Sequence, residues 1–262
     1  MIVYDVTESR LCQGKQPMRA DPPNRDPPTL PRLVPLAART LVEQVVDAIV
    51  EAAARGLFLP GDRIVEAEVA RALNVSRIPV REALRILESQ SVVVNTRFRG
   101  MRLMSVGNDR LQKTLKVRHA LESLAGHEAM ARLASDARLL DPMAAVLAEM
   151  HAAGSSADAF RLAALDTEFH RALCRASGNE ALLNTWEPLS TQLTIIFGLA
   201  TRRKPLEAIV AEHDELIAAL TARDDAAFDE VLRRHILEYS REIEYEHLVD
   251  DLRKRAPAGK PA

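Results

Sequence analysis

From Leu36 onward the apolar positions fall into helical spacing. Leu41, Val45, Ile49 and Ala52 recur every three or four residues, and the run stops at Gly56, a residue that readily takes the left-handed conformation ending a helix. Pro60-Gly61-Asp62 marks a turn. Two shorter helices fit 66–73 and 77–89. Val92, Val93 and Val94, then Met101, Arg102, Leu103 and Met104, read as two short strands around a turn at Gly100. After Ser105 the texture changes to long amphipathic helices, six in all, over roughly 108–134, 136–153, 157–176, 179–200, 205–222 and 225–254. Gly154, Gly178-Asn179, Lys204-Pro205 and Asp224-Asp225 break them, and Asn108, Asn179 and Asp224 are the expected N-caps. No strand pattern follows Leu103, so the pattern predicts a mainly α chain: a small head over 36–105 and an antiparallel six-helix bundle over 106–254.

Composition supports helices. Hydrophobic residues make up 47% of the 262 positions but aromatics only 4%, with Ala and Leu dominant. Residues 1–35 hold half of the 14 prolines and few large apolar residues, which predicts a disordered arm; 255–262 reads as a disordered tail. Cys12 and Cys174 form no CxxC and no disulfide framework, as expected of a cytoplasmic protein. No run approaches the ~18 apolar residues of a membrane helix, and the first residues lack the basic and apolar regions of a signal peptide.

A net charge of -2 excludes bulk attraction to a polyanion, so any nucleic-acid surface has to be local. One such surface is legible. Between Arg71 and Met104 stand seven arginines (71, 77, 81, 85, 97, 99, 102) against two glutamates (82, 88). Within 65–87, Val69, Ala70 and Leu73 form the inner face of one short helix, Asn74 suits a left-handed turn, Val75 points inward and Ser76 can cap the next helix. Pro79 falls in that helix's first turn, where its missing N–H costs little. Val80, Ala83, Leu84 and Leu87 face the core, which leaves Arg77, Arg81 and Arg85 on the outer face at four-residue spacing. That face suits a major groove, where arginine grips guanine or clamps phosphate. Charge alone would equally describe a solvated helix face; the turn, the cap and the following hairpin favour the groove.

Residues 41–105 resemble the winged helix-turn-helix of GntR-superfamily regulators. Val-Ser-Arg-Ile-Pro-Val-Arg-Glu-Ala-Leu at 75–84 is close to that family's hallmark, Leu59-Pro60-Gly61-Asp62 to the turn before it, and Arg97-Phe98-Arg99-Gly100 to its wing. The resemblance implies that Arg77 and Arg81 touch the operator in or beside the major groove and that Arg99 and Gly100 lie near the minor groove; Ser76, Arg85 and Arg97 are further DNA-binding candidates. Two departures stand out. Ala67 replaces an arginine that some relatives use on DNA, and Ser91 replaces the usual glycine after the recognition helix, at a cost if its φ is positive.

Residues 108–250 resemble the FCD ligand domain of FadR-type members of that superfamily. Arg118 and Glu122, Asp166-Thr-Glu-Phe-His170, Ser177-Gly-Asn179, Glu212-His213 and His235 occur in the matching order. Six helices imply the metal-dependent type rather than the branch whose extra helix accompanies acyl-coenzyme A binding. Spacing points the same way. Asp166 and His170 are one turn apart on one helix, and His213 and His235 sit on two others, so a bundle can converge all four on its interior. One carboxylate and three imidazoles suit a divalent transition metal with open positions, zinc ahead of nickel or manganese. Taken singly, each histidine reads as a packing or surface residue; His119, His127, His151 and His247 are left as such.

Such an ion could hold a small carboxylate effector by one oxygen while Arg118 takes the other, although Arg118 could as well pair structurally with Glu122. Arg202 and Arg203 are weaker candidates, and Asn184, Thr191 and Thr194 are candidate pocket-lining residues. The combined expectation is a non-enzymatic, ligand-responsive regulator, a repressor by family habit, binding two-fold operator DNA as a homodimer with no membrane involvement. The alternatives are a metal-dependent enzyme, disfavoured because no base–nucleophile pair, phosphate loop or HExxH is present, and a regulator whose metal is only structural or is itself the signal.

Overall fold

Thr40 opens the first helix with a reciprocal cap: its hydroxyl accepts from the Glu43 amide at 3.2 Å, and the Glu43 carboxylate accepts from the Thr40 amide at 2.8 Å. Helix α1 (Leu41–Ala54) buries Val45, Ile49, Ala53 and Ala54, and the chain leaves it through Gly56 at φ 77°. Leu41, expected on the inner face, is 48% exposed, because the core begins one turn later. The computed structural model describes residues 39–97, 100–156, 158–200, 205–238 and 244–255, all within one compact unit, Arg39–Ala262. The expected N-terminal arm, Arg99, Arg202, Arg203 and the tail beyond Arg255 lie outside the described residues.

Helices α2 (Glu66–Ala72) and α3 (Arg77–Ser89) follow. Asn74 takes the left-handed turn between them at φ 54°. Val80, Ala83, Leu84 and Leu87 are buried as the period requires, whereas Leu73 is exposed because α2 ends a residue earlier. Ser76 occupies the N-cap position of α3 in extended geometry, but its hydroxyl makes no capping bond. Strands β1 (Val93–Thr96) and β2 (Gly100–Leu103) pair antiparallel, Val93 opposite Leu103 and Thr96 opposite Gly100. Gly100 has φ 74°, the conformation a tight turn asks of glycine.

The bundle comprises α4 (Asn108–Leu133), α5 (Asp141–Ser155, preceded by a 3-10 turn, Ala137–Leu140), α6 (Ala159–Ala176), α7 (Glu180–Ala200), α8 (Leu206–Ala222), α9 (Asp225–Arg233) and α10 (Tyr245–Arg255). Asp224 caps α9 through the Ala227 amide, and the Asn179 side chain accepts from the Leu182 amide, both at 3.0 Å. Asn108 does not cap α4: Gly107 holds that position, and the Asn108 side chain accepts from the Glu246 amide instead. The single helix expected over 225–254 is interrupted. A π turn, Arg234–Glu238, follows α9, and α10 is a separate, seventh bundle helix. Within that turn His235 and Ile236 are 8% and 2% exposed.

Helix α6 packs on α4, α5 and α7, and α7 also packs on α1 of the head. At that junction a Cβ on Gly198 would lie 2.6 Å from the Cβ of Ala54, so only glycine lets α7 approach α1 this closely. Gln192 of α7 donates to the main-chain oxygen of Gln90 at 2.8 Å, and one continuous apolar core runs from the head into the bundle.

Candidate functional site

Asp166, His170, His213 and His235 are all buried, and their ligand atoms lie within 4.8 Å of one another. Three elements supply them: α6 the first pair, α8 His213, and the π turn His235. His170 Nε2 lies 3.1 Å from His235 Nε2, His213 Nε2 lies 3.2 Å from Asp166 Oδ1, and His235 Nε2 lies 3.7 Å from the same oxygen.

The other ring nitrogens face outward to acceptors. His213 Nδ1 sits 2.8 Å from the Ile209 carbonyl oxygen, and His235 Nδ1 sits 2.9 Å from Glu212 Oε2. A carbonyl or carboxylate can only accept, so each Nδ1 carries a proton and each Nε2 faces inward. His170 Nδ1 lies 2.7 Å from Glu122 Oε2, though off the alignment of a hydrogen bond. Burial pushes His235 down to about 4, the Glu212 bond resisting and the neighbouring histidines adding to the push. Burial also lowers His170, with Glu122 opposing. Burial works against the charge on Asp166, yet His213 and the Arg118 guanidinium outweigh it and hold the carboxyl far below its usual range. The centre therefore gathers three imidazole Nε2 atoms around a carboxylate. His213 Nε2 and Asp166 Oδ2 have no hydrogen-bond partner. A cation resolves that arrangement, and the donor set fits a divalent transition ion. Charge agrees: Glu122, Asp166 and Glu212 against Arg118 leave two negative charges for the ion to cancel.

Arg118 is 2% exposed. Its Nε donates to Glu122 Oε1 at 2.7 Å, and the Trp186 indole donates to the same oxygen at 2.7 Å. Burial would raise Glu122, but Arg118 and His170 hold it down at about 2. The structural pair expected as an alternative is thus present. Arg118 Nη2, however, has no hydrogen-bond partner and lies 3.7 Å from Asp166 Oδ2, at the edge of the cluster. Thr194 is buried, bonded to Thr167 at 2.8 Å and to the Ser190 carbonyl at 3.0 Å. With Thr191 it lines a cleft of about 790 Å³ between α1, α6 and α7, apart from the four-residue cluster. Asn184 is exposed and joins neither, because the polar positions of α7 are spread around the helix rather than along one stripe.

On the head, Arg77, Arg81 and Arg85 are exposed along α3. Arg81 is held by Glu66 in a two-pronged pair at 3.1 and 2.9 Å, and Arg85 by Glu82 at 2.9 Å. Exposed pairs of this kind are weak and screened by salt, so a phosphate can compete for them. Arg97 is exposed at the hairpin turn beside Gly100.

Residues 41–103 match the bacterial regulatory proteins of the gntR family, and residues 113–238 match the FCD domain. The chain is 30% identical over 204 residues to the probable D-xylose utilization operon transcriptional repressor of Paenarthrobacter nicotinovorans, covering 78% of this chain and 89% of that one. The chain belongs to the GntR family. It is a transcriptional regulator of the FCD-bearing, FadR-type branch, in a family that is not enzymatic, so the metalloenzyme alternative falls away. Another relative, the Nta operon transcriptional regulator of Aminobacter aminovorans, is 30% identical over 188 residues, 67% of this chain and 87% of that one. The fold is shared with E. coli McbR/YncC (TM-score 0.67, 22% identity, 80% of this chain and 99% of that one). It is shared also with a GntR regulator from Rhodococcus sp. RHA1 (TM-score 0.62, 22% identity, 84% and 99%). No described helix is long and apolar enough to cross a membrane.

Sequence reasoning did not find what backs the histidines. Glu212 was a landmark beside His213, yet it serves His235 across 23 positions, and Glu122 faces both Arg118 and His170. The local signal available was Ile209, one turn before His213, whose carbonyl a buried helical histidine can reach.

Proposed function

We propose that this GntR-family chain is a DNA-binding repressor that senses a small carboxylate through a divalent transition ion held by Asp166, His170, His213 and His235. Zinc suits this mixed N/O donor set first, and nickel or manganese also fit. The observation carrying the reading is the buried convergence of three histidine Nε2 atoms and one carboxylate, all within 4.8 Å of one another. When bound, the ion supplies a Lewis-acid position for one effector oxygen. This chain's own residues do the rest. The Ile209 carbonyl and Glu212 fix His213 and His235, as acceptors behind ligating histidines do, and Glu122 lies against His170 Nδ1. Arg118 turns its unpartnered Nη2 toward the same space, where a guanidinium can take the second carboxylate oxygen.

A head over 36–105 reads the operator through Arg77, Arg81 and Arg85, helped by Ser76, Arg97, Arg99 and Gly100 at the wing. A homodimer in the cytoplasm places two such heads on a two-fold operator, and a sensing domain over 106–254 biases them through the effector's different affinity for two arrangements. The relative named as a D-xylose utilization operon repressor supports the sign of regulation. The test is a gel shift on the metal-loaded protein with a panel of small organic acids. An acid is expected to release DNA from the loaded protein and not from the chelator-treated protein or Arg118→Ala. Release that survives chelation would refute the metal–carboxylate bridge.

A further inference from the structure

Ile78 is 71% exposed, more than any other large apolar side chain of the described core and its surroundings. It is the second residue of α3, between exposed Arg77 and buried Pro79. Packing explains neither its presence nor its exposure. At 100° per residue, Ile78 falls just past Arg85 at the edge of the arc marked by Arg77, Arg81 and Arg85, on the side of the helix away from Val80, Ala83 and Leu87. A surface that sets one branched alkyl chain among three guanidiniums needs a partner that is strongly anionic yet offers an isolated apolar group. A DNA major groove meets both demands, with phosphates on its walls and the thymine C5-methyl on its floor.

We propose that Ile78 is a specificity residue that reads a thymine methyl in each operator half-site. This rests on α3 being the recognition helix. The fixed backbone of the first turn supports it: Pro79 and Val80 are buried, so Ile78 projects outward without rearrangement of the head. The contact adds discrimination by burying methyl against alkyl, a short-range term, whereas the arginines add affinity that salt screens.

The test begins with duplexes selected from a random pool by the full-length wild-type protein. Thymines of the selected site are then replaced one symmetric pair at a time by deoxyuridine, which lacks only the methyl. Gel shifts are expected to show one pair whose replacement weakens wild-type binding about fourfold per half-site. Ile78→Ala is expected to bind the thymine and deoxyuridine duplexes equally and to melt as the wild type does, its side chain being outside the core. Wild-type binding indifferent to every replacement, or an equal loss in Ile78→Ala, would overturn the assignment. A change in sedimentation mass of Ile78→Ala without DNA would also overturn it, by placing the residue between chains. Failure of the underlying reading shows separately: Arg77→Ala would then bind the selected duplex as tightly as the wild type.

Discussion

Ser91 sits at φ 57° directly after α3, a conformation that costs a residue with a Cβ. Ser91→Gly is therefore expected to stabilise the protein by about 0.5–1 kcal/mol in thermal or urea unfolding, and an unchanged or lower midpoint would contradict that. The same scale governs the candidate metal centre. Glu212 Oε2 accepts from His235 Nδ1, fixing which nitrogen faces inward. Glu212→Ala leaves all four ligands in place, yet it is expected to weaken metal binding about 10–100-fold in a chelator competition. Unchanged affinity would remove Glu212 from the site. Asp166 and His170 were legible in the sequence because a one-turn spacing is local information. The part played by Glu212 was not, because nothing in the spacing of residues 212 and 235 says that a turn of different pitch brings them together.

That turn belongs to the element scale. The periodic pattern runs through 225–254 without glycine or proline, so a single helix was the natural expectation. The π turn at Arg234–Glu238 answers to tertiary demand instead, placing His235 against the cluster and Ile236 in the core. Helices with strong local signals came through intact: α3 has the limits its pattern gave, and Asn74 the left-handed turn its side chain allows. Close approaches between elements are invisible to such patterns. A Cβ on Gly126 of α4 would lie 2.0 Å from the ring of Phe228 on α9. Gly126→Ala is expected to destabilise the bundle by about 1–3 kcal/mol, read from the denaturation midpoint; a neutral result would mean the two helices separate freely.

At the scale of the whole molecule, α10 returns from the bundle to the head. Tyr245, Leu248 and Val249 are buried, Glu246 exchanges bonds with Asn108 at the start of α4, and Arg253 pairs with Asp62 at 2.9 Å while donating to the Pro60 carbonyl. The turn it grips is also tied to β2, since Gly61 donates to Leu103 and Leu103 to Asp62. Arg253→Ala is expected to speed amide exchange at Gly61 and Leu103 while leaving α6 and α7 protected; unchanged exchange would make the contact incidental. Contacts spanning nearly the whole chain could not be read from the sequence. The central claim nevertheless rests on four residues the sequence did name. Its most direct test is elemental analysis of tag-free protein purified without chelators, beside His213→Ala. The account predicts about one transition-metal ion per chain in the wild type and loss of that ion in the variant. A wild type that takes up no metal when offered zinc, nickel and manganese would contradict it.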